Sequence, residues 1–179
     1  MVSALIRSAR HSELADLIVL EIEAGQLFHT VDLALVADHV PDQEALRRNH
    51  ERGLVWVAEQ HGEVAGYIVA TVLDGNAHIE QVSVAPASAR QGVGRQLISH
   101  VEEWGRRNDR PATTLTTFRD VPWNGPYYEK LGYRELLAVE IGSELAAAVA
   151  HEASLPGIDA SRRSAMIKRN DGVLTVPGL

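Results

Sequence analysis

The segment "SVAPASARQGVGRQL", residues 83–97, joins a β-like run to a helix-like run through a turn that contains Gly92 and Gly94. The first N–H groups of a helix have no internal partner and carry partial positive charge. Glycine lets a bulky anion approach the backbone closely, and Arg90 and Arg95 add full positive charge. The turn is therefore a candidate pyrophosphate site, and a plain strand–helix corner is the alternative.

Two common nucleotide-binding loops do not fit this turn. The Walker pattern GxxxxGK[ST] occurs nowhere in the chain. A Rossmann fingerprint GxGxxG would need a third glycine, but Leu97 stands at that position. The turn also follows a run of antiparallel strands instead of an opening parallel strand. Dinucleotide binding is therefore disfavoured.

The strand-like runs before the turn predict an antiparallel meander. They cover residues 54–59, 64–73 and 77–85, and tight-turn signals separate them. A helix over 92–107 follows, and then a β-branched run at 113–118. A strand that is connected through such a crossover helix pairs in parallel with the strand before it, so the sheet is predicted to be mixed.

The remaining segments complete an α/β (α+β) fold with a mixed, mostly antiparallel central sheet flanked by helices. The core of the domain is assigned to residues 1–140, and residues 141–179 are interpreted as a C-terminal helix and closing strand of the same domain. The other predicted elements are an edge strand at 2–7, helices from Ser12, over 31–39 and after Pro41, a short helix at 122–131, a strand at 133–139, an alanine-rich helix at 143–154 and a strand at 163–168.

Composition excludes several classes of function. The chain has 179 residues and no cysteine, so it has neither disulfides nor a thiol nucleophile. It lacks an apolar run of about 18 residues and a long apolar signal core, which predicts a cytoplasmic location and no membrane partner. The net charge of −7 disfavours nucleic acid. No HExxH or similar histidine pairing occurs, so no metal is expected.

Two motifs resemble the GCN5-related N-acetyltransferase (GNAT) superfamily. "IEQVSVAPASARQGVGRQL", residues 79–97, is similar to the family's acetyl-CoA motif [RQ]-x-x-G-x-[GA], but Ala89 stands at the Arg/Gln position. "NGPYYEKLGY", residues 124–133, resembles the later Y-E-K-x-G-F motif. The family usually has an asparagine seven residues before the key tyrosine; Val121 occupies that place here. The element order matches the family from about residue 2 to 140.

The resemblance implies acetyl-CoA as cosubstrate and direct transfer of its acetyl group. It also implies that the third meander strand diverges from the next strand at a bulge and offers unpaired backbone groups to the cofactor. Asn124, four residues before the tyrosine, is assigned to the cofactor site. The full set of expected cofactor-binding residues is Val82, Ser83, Val84, Arg90, Gln91, Gly92, Val93, Gly94, Arg95, Asn124 and Tyr128.

Acetyl transfer to an amine requires a base for the amine, donors for the developing oxyanion and a proton for the CoA thiolate. Glu80 is the predicted base, and in alternating register it shares a face with Val82 and Val84. His78 is the alternative base. Tyr128 is the predicted acid, because it matches the tyrosine that the family places near the CoA sulfur.

The predicted function is N-acetylation of a primary amine on a small molecule or peptide. The alternatives are a protein lysine or N-terminal acetyltransferase and a CoA-binding sensor without turnover. Residues 140–170 are a candidate homodimer surface. Possible walls of the acceptor pocket, each with a role in the core as its alternative, are Phe28, His29, Trp56 and Trp123.

Overall fold

The computed structural model describes residues 3–170. Val2, in the predicted first strand, and residues 171–179 of the C-terminal segment lie outside the described residues. The strands are β1 (Leu5–Ser8), β2 (Val55–Gln60), β3 (Glu63–Leu73), β4 (Asn76–Val84), β5 (Ala112–Phe118), β6 (Arg134–Glu135) and β7 (Arg163–Arg169). The α-helices are α1 (Leu14–Gly25), α2 (Ala34–Ala37), α3 (Gln43–Glu51), α4 (Val93–Arg107), α5 (Gly125–Lys130) and α6 (Ser143–Ala153).

The seven strands form one mixed sheet in the order β1-β2-β3-β4-β5-β7-β6. β4 and β5 pair in parallel, and the other neighbours pair antiparallel. The predicted fold class, a mostly antiparallel mixed sheet flanked by helices, is confirmed. The C-terminal strand β7 lies within the sheet between β5 and β6, and the short β6 is the edge.

The helices cover both faces of the sheet. α4 and α5 pack on one face, where Leu97, Ile98 and Val101 of α4 are buried against β-strand residues such as Ile68 and Ile79. α1 and α3 cover the first half of the opposite face through a core that includes Leu17, Leu46 and Tyr67. α6 covers the second half of that face through Leu145, which packs against Leu136 and Ala165. Different helices therefore cover the two ends of this second face: α1 and α3 cover one end, and α6 covers the other.

Two predicted elements have different lengths in the structure. The helix predicted over 31–39 is reduced to the short α2. A 3-10 helix over Gln26–Val31 precedes it, because Gly25 keeps helical φ of −63° and the chain turns only at Asp32, with φ of 58°. The strand predicted at 133–139 is reduced to β6. The Glu140 carboxylate accepts hydrogen bonds from the Leu137 N–H and from the Arg134 guanidinium, which favours a 3-10 turn over Ala138–Glu140.

Within residues 3–170, every helix is too short or too polar to cross a lipid bilayer.

Candidate active site

The turn before α4 presents a row of free backbone donors. Ala89 N–H bonds back to Pro86, and the next bonded N–H is that of Gln96, which donates to Gly92 O at 3.1 Å. Among residues 3–170, the N–H groups of residues 90–95 have no backbone partner. Arg90 with φ of 59° and Gly92 with φ of 84° both adopt the left-handed conformation that curls the chain into the helix. The turn therefore has the donors that a pyrophosphate requires.

The side chains of this turn leave the donors accessible. Val93 is buried in the core, so it offers its N–H alone, and the Gln91 amide donates to Ala87 O within the loop. A Cβ on Gly94 would lie 3.5 Å from Val84 Cγ2 and 3.6 Å from the Tyr127 hydroxyl. Tyr127 thus borders the turn, a position that the sequence did not predict for it. Arg90, Arg95 and Ala89 are exposed.

β4 and β5 diverge after the pair that Ile79 forms with Leu115. Their parallel register runs from Ala77 opposite Thr113 to Ile79 opposite Leu115. Beyond that point β4 continues alongside β3 to Val84, while β5 continues alongside β7 to Phe118. Along residues 80–84, the backbone groups that face away from β3 therefore have no strand partner among the described residues. This opening leads towards the α4 turn.

A β-bulge at Glu80 accompanies the divergence. In the β3–β4 register Val69 is opposite Gln81 and Ala70 is opposite Ile79, so Glu80 is an extra residue on β4. The predicted shared face of Glu80, Val82 and Val84 is therefore wrong. Val82 and Val84 pack on the α4 face, whereas Glu80 Oε2 accepts a hydrogen bond of 2.6 Å from Asn49 of α3 on the opposite face. A bulge breaks the alternation on which that prediction relied.

The two candidate bases differ in access and basicity. Burial raises the pKa of the Glu80 carboxyl, against the hydrogen bond from Asn49 and the charge of Arg52, while the residue keeps an exposed surface. His78 is only 3% exposed and its Nδ1 lies 2.9 Å from Thr114 Oγ1. Burial lowers the pKa of His78 to about 4, although the Glu152 carboxylate acts in the opposite direction. Of the two side chains, Glu80 is the more exposed and the more basic.

Tyr128 lies at the first turn of α5 and is 8% exposed. Its ring contacts those of Tyr127 and Tyr133, with centroid separations of 5.7 Å in both cases. Among residues 3–170, its hydroxyl makes no hydrogen bond, and the hydroxyl oxygen is not fully enclosed by protein atoms. Burial raises the pKa of the phenol above its ordinary value. The hydroxyl is thus protonated and free to donate.

Comparison with known proteins agrees with this geometry. The family model for the acetyltransferase (GNAT) family matches residues 19–133, which include the bulge, the α4 turn and Tyr128. The chain belongs to the GNAT acetyltransferase family. As a member it is an acyl-CoA-dependent transferase.

Solved structures of other GNAT proteins share the fold at low identity. The PaiA N-acetyltransferase of Thermoplasma acidophilum, in complex with coenzyme A, is 14% identical with a TM-score of 0.72, and the match covers 94% of this chain and 99% of that one. The ribosomal-protein-S18-alanine N-acetyltransferase of Escherichia coli is 19% identical with a TM-score of 0.71 over 98% and 99%. N-acetylglutamate synthase of Neisseria gonorrhoeae, complexed with coenzyme A and N-acetylglutamate, is 14% identical with a TM-score of 0.72, covering 96% of this chain and 36% of that one.

Where the GNAT motif departs at α5, the structure shows what replaces it. Val121 is 1% exposed and packs with Leu33 and Phe118, so it offers no polar group. Asn124 precedes α5, and its backbone carbonyl accepts from the N–H groups of Tyr127 and Tyr128. Its side-chain Oδ1 accepts from Thr117 Oγ1 at 3.0 Å. Asn124 therefore ties the start of α5 to the end of β5.

The predicted pocket walls of this GNAT protein lie in three different places. Phe28 and Trp123 belong to one aromatic cluster with Phe118, at the end of β5. His29 is exposed and pairs with Asp38 at 2.9 Å. Trp56 packs with Trp104 and His100 on the α4 face, away from Glu80. Within residues 3–170, no group of three or more His, Asp or Glu side chains is arranged to hold a metal.

Proposed function

We propose that this protein transfers the acetyl group of acetyl-CoA directly to a primary amine of a small molecule or peptide. The observation that carries the proposal is the bulge of β4 at the point where β4 leaves β5. It places the Glu80 carboxylate beside a strand edge with unpaired backbone groups. When bound, acetyl-CoA supplies the thioester carbon that the amine attacks.

The chain's own groups fit this cosubstrate. The N–H groups of residues 90–95, together with Arg90 and Arg95, are assigned to the pyrophosphate. The unpaired backbone of residues 82–84 is assigned to the pantetheine arm and to the acyl oxygen, where a preorganised N–H stabilises developing negative charge. We also assign Asn124 to the cofactor site, since it fixes the start of the helix that carries Tyr128.

Glu80 is assigned as the base that removes a proton from the amine, through water or directly. An ammonium with a pKa of about 10.4 is only about 0.1% neutral at pH 7, so a positioned base increases the reactive fraction. The raised pKa of Glu80 strengthens it as a base compared with an ordinary carboxylate. Asn49 holds its Oε2, which leaves Oε1 for the acceptor side.

Tyr128 is assigned as the acid that protonates the departing thiolate. Its hydroxyl is protonated at neutral pH, and no described residue holds it in another hydrogen bond. A covalent acyl-cysteine route is excluded because the sequence contains no cysteine. Transfer within one complex of both substrates is the remaining simple mechanism.

Release of free CoA across a panel of amines tests the proposal, with Glu80→Gln and Tyr128→Phe as the variants. We expect amine-dependent release from the parent and a loss of at least about 100-fold in each variant, the usual effect of removing a positioned acid or base. The exposed Glu63 and Glu129 supply matched controls, Glu63→Gln and Glu129→Gln, which should keep the parent rate.

The outcomes separate the alternatives. Full activity in both variants would contradict the catalytic assignments. CoA binding without release by any amine would favour a sensor. Release with a protein lysine or protein N-terminus, and none with small amines or short peptides, would favour a protein acetyltransferase, the class to which the ribosomal-protein-S18-alanine N-acetyltransferase of Escherichia coli belongs.

A cytoplasmic location and a homodimer belong to the same proposal. The dimer would use the segment 140–170 with the adjoining Leu137 and Val139, which are 66% and 92% exposed. A monomeric mass in solution would contradict the dimer.

A further inference from the structure

Glu21 is a half-buried carboxylate that the proposed mechanism does not use. It lies on α1, one turn after the buried Leu17, and its Oε2 accepts a hydrogen bond from the Tyr67 hydroxyl. Its other oxygen accepts no hydrogen bond among residues 3–170, yet it is not enclosed by protein atoms. Tyr67 itself is 1% exposed. The buried tyrosine therefore holds one oxygen of Glu21, while the other oxygen stays accessible.

This pair lies on the same face of the sheet as Glu80. Tyr67 is paired with Ser83 of β4, and the bulge turns Glu80 towards that face. Between them, the Gln81 amide donates to Ser83 Oγ at 2.8 Å, which links the two positions along the strand. Three residues of strand span about 10 Å. Glu21 and Glu80 thus lie on the same face of the sheet, near positions 83 and 80 of β4.

Neither carboxylate forms an ion pair among the described residues, although the charge of Arg52 lowers the pKa of Glu80, whereas no cation acts on Glu21. Glu13, on the approach to α1, shows the contrast, because Arg7 contacts it at 2.6 Å and holds its pKa at about 2. Burial instead raises the pKa of Glu21 and of Glu80. A half-buried carboxylate without a cation is unfavourable unless a ligand supplies the charge.

We infer that the Glu21–Tyr67 pair binds a second cationic group of the acceptor, so that the preferred substrate is a dicationic amine. This inference rests on the proposed function and specifies its substrate class. The reacting ammonium lies at Glu80, and the distal ammonium donates to the free oxygen of Glu21. Tyr67 orients that carboxylate. An acceptor with a carboxylate at the distal position meets like charge and is disfavoured.

The test compares three four-carbon amines that differ at the distal end: 1,4-diaminobutane, butylamine and 4-aminobutanoate. Their binding to the CoA-loaded protein is measured by calorimetry, and their kcat/KM is measured by CoA release. We expect diaminobutane to bind at least about tenfold more tightly than butylamine, as a charge-assisted hydrogen bond implies, and 4-aminobutanoate to bind least.

Glu21→Gln should reduce the preference for diaminobutane over butylamine by about tenfold, mainly through KM, and Tyr67→Phe should reduce it less. Gln keeps an acceptor for the Tyr67 hydroxyl, so folding is preserved. Glu23→Gln, an exposed neutral replacement on the same helix, should keep the parent preference. Circular dichroism confirms that each variant is folded.

Equal binding of butylamine and diaminobutane by the parent, or an unchanged preference in Glu21→Gln, would overturn the site. These results are compatible with amine-dependent CoA release, so the proposed function could stand without it. Conversely, Glu21-dependent binding of diaminobutane with no release by any amine would support the site and contradict the proposed function.

Discussion

The side-chain amide of Asn49 donates a hydrogen bond of 2.6 Å to Glu80 Oε2 and thereby joins α3 to the bulge of β4. Asn49 is buried, so the bond is shielded from competing water. A hydrogen bond that is donated to a carboxylate stabilises its charged form. Asn49 therefore lowers the pKa of Glu80, while burial raises it. One residue therefore controls both the orientation and the basicity of the proposed base.

Replacing Asn49 with alanine should move the acidic limb of the pH–rate profile to higher pH. The reaction needs deprotonated Glu80, so the rate falls as pH decreases through the pKa of that group. Without the Asn49 donor, burial is opposed by the charge of Arg52 alone, and this pKa rises further. The profile of kcat/KM against pH for Asn49→Ala measures the shift, and stability should fall by about 1 kcal/mol.

Asn108→Ala is the matched control, because Asn108 is exposed at the end of α4 and its side-chain amide donates to the Trp104 backbone carbonyl. Its acidic limb should coincide with that of the parent. An unshifted limb in a folded Asn49→Ala variant would contradict the role of Asn49.

Tyr128→Phe should lower kcat by about 100-fold or more while the free energy of unfolding changes little. The loss of rate follows from the missing proton donor, and stability is kept because no described residue bonds to the Tyr128 hydroxyl. Tyr133→Phe should show the reverse. Its hydroxyl donates to Glu102 at 2.9 Å, so that variant should lose about 1–2 kcal/mol of stability with the rate preserved. Rates and denaturant midpoints for both variants decide between the two patterns.

Gly94→Val should raise KM for acetyl-CoA by at least about tenfold and affect KM for the amine less. Gly94 is not among the glycines with positive φ, and a Cβ there meets Val84 and Tyr127 at ordinary distances. The fold should therefore accept valine, while its methyl groups occupy the space in front of the free N–H groups. Ser99→Val, on the exposed side of the same helix, controls for bulk. An unchanged KM for acetyl-CoA would mean that the turn connects β4 to α4 without binding the cofactor.

Much of the fold could be predicted because local patterns agreed with one another. The period-2 runs, the turn signals and the apolar stripe of α4 predicted β2, β3, β4 and the parallel β4–β5 pair. The resemblance implied a bulge on this strand, but its position at Glu80 could not be predicted, since an extra residue there has no signature in an alternating sequence. It depends on the pairing of β3 with β4, which is a non-local contact.

The site was predicted in part for the same reason. The left-handed conformation of Gly92 is consistent with a residue type that the sequence shows, whereas the position of Tyr127 beside Gly94 depends on how α5 packs on α4. The Glu21–Tyr67 pair joins residues that are 46 positions apart, so no spacing could indicate it. Aromatic residues such as Trp56 carry no mark of the sheet face on which they lie.

Unfolding as a function of pH provides the last prediction, on His78. Burial lowers its pKa to about 4 in the folded protein, while an unfolded histidine has a pKa of about 6.5. Between these values the unfolded state binds more protons, so stability falls as pH decreases from about 6.5 to 4, by up to about 3 kcal/mol. Urea unfolding at several pH values should show this slope in the parent and a flatter one in His78→Gln, even though that variant starts less stable without the bond to Thr114. The exposed His39 supplies the control His39→Gln, which should keep the parent slope. A slope that His78→Gln shares with the parent would mean that other groups cause the acid sensitivity.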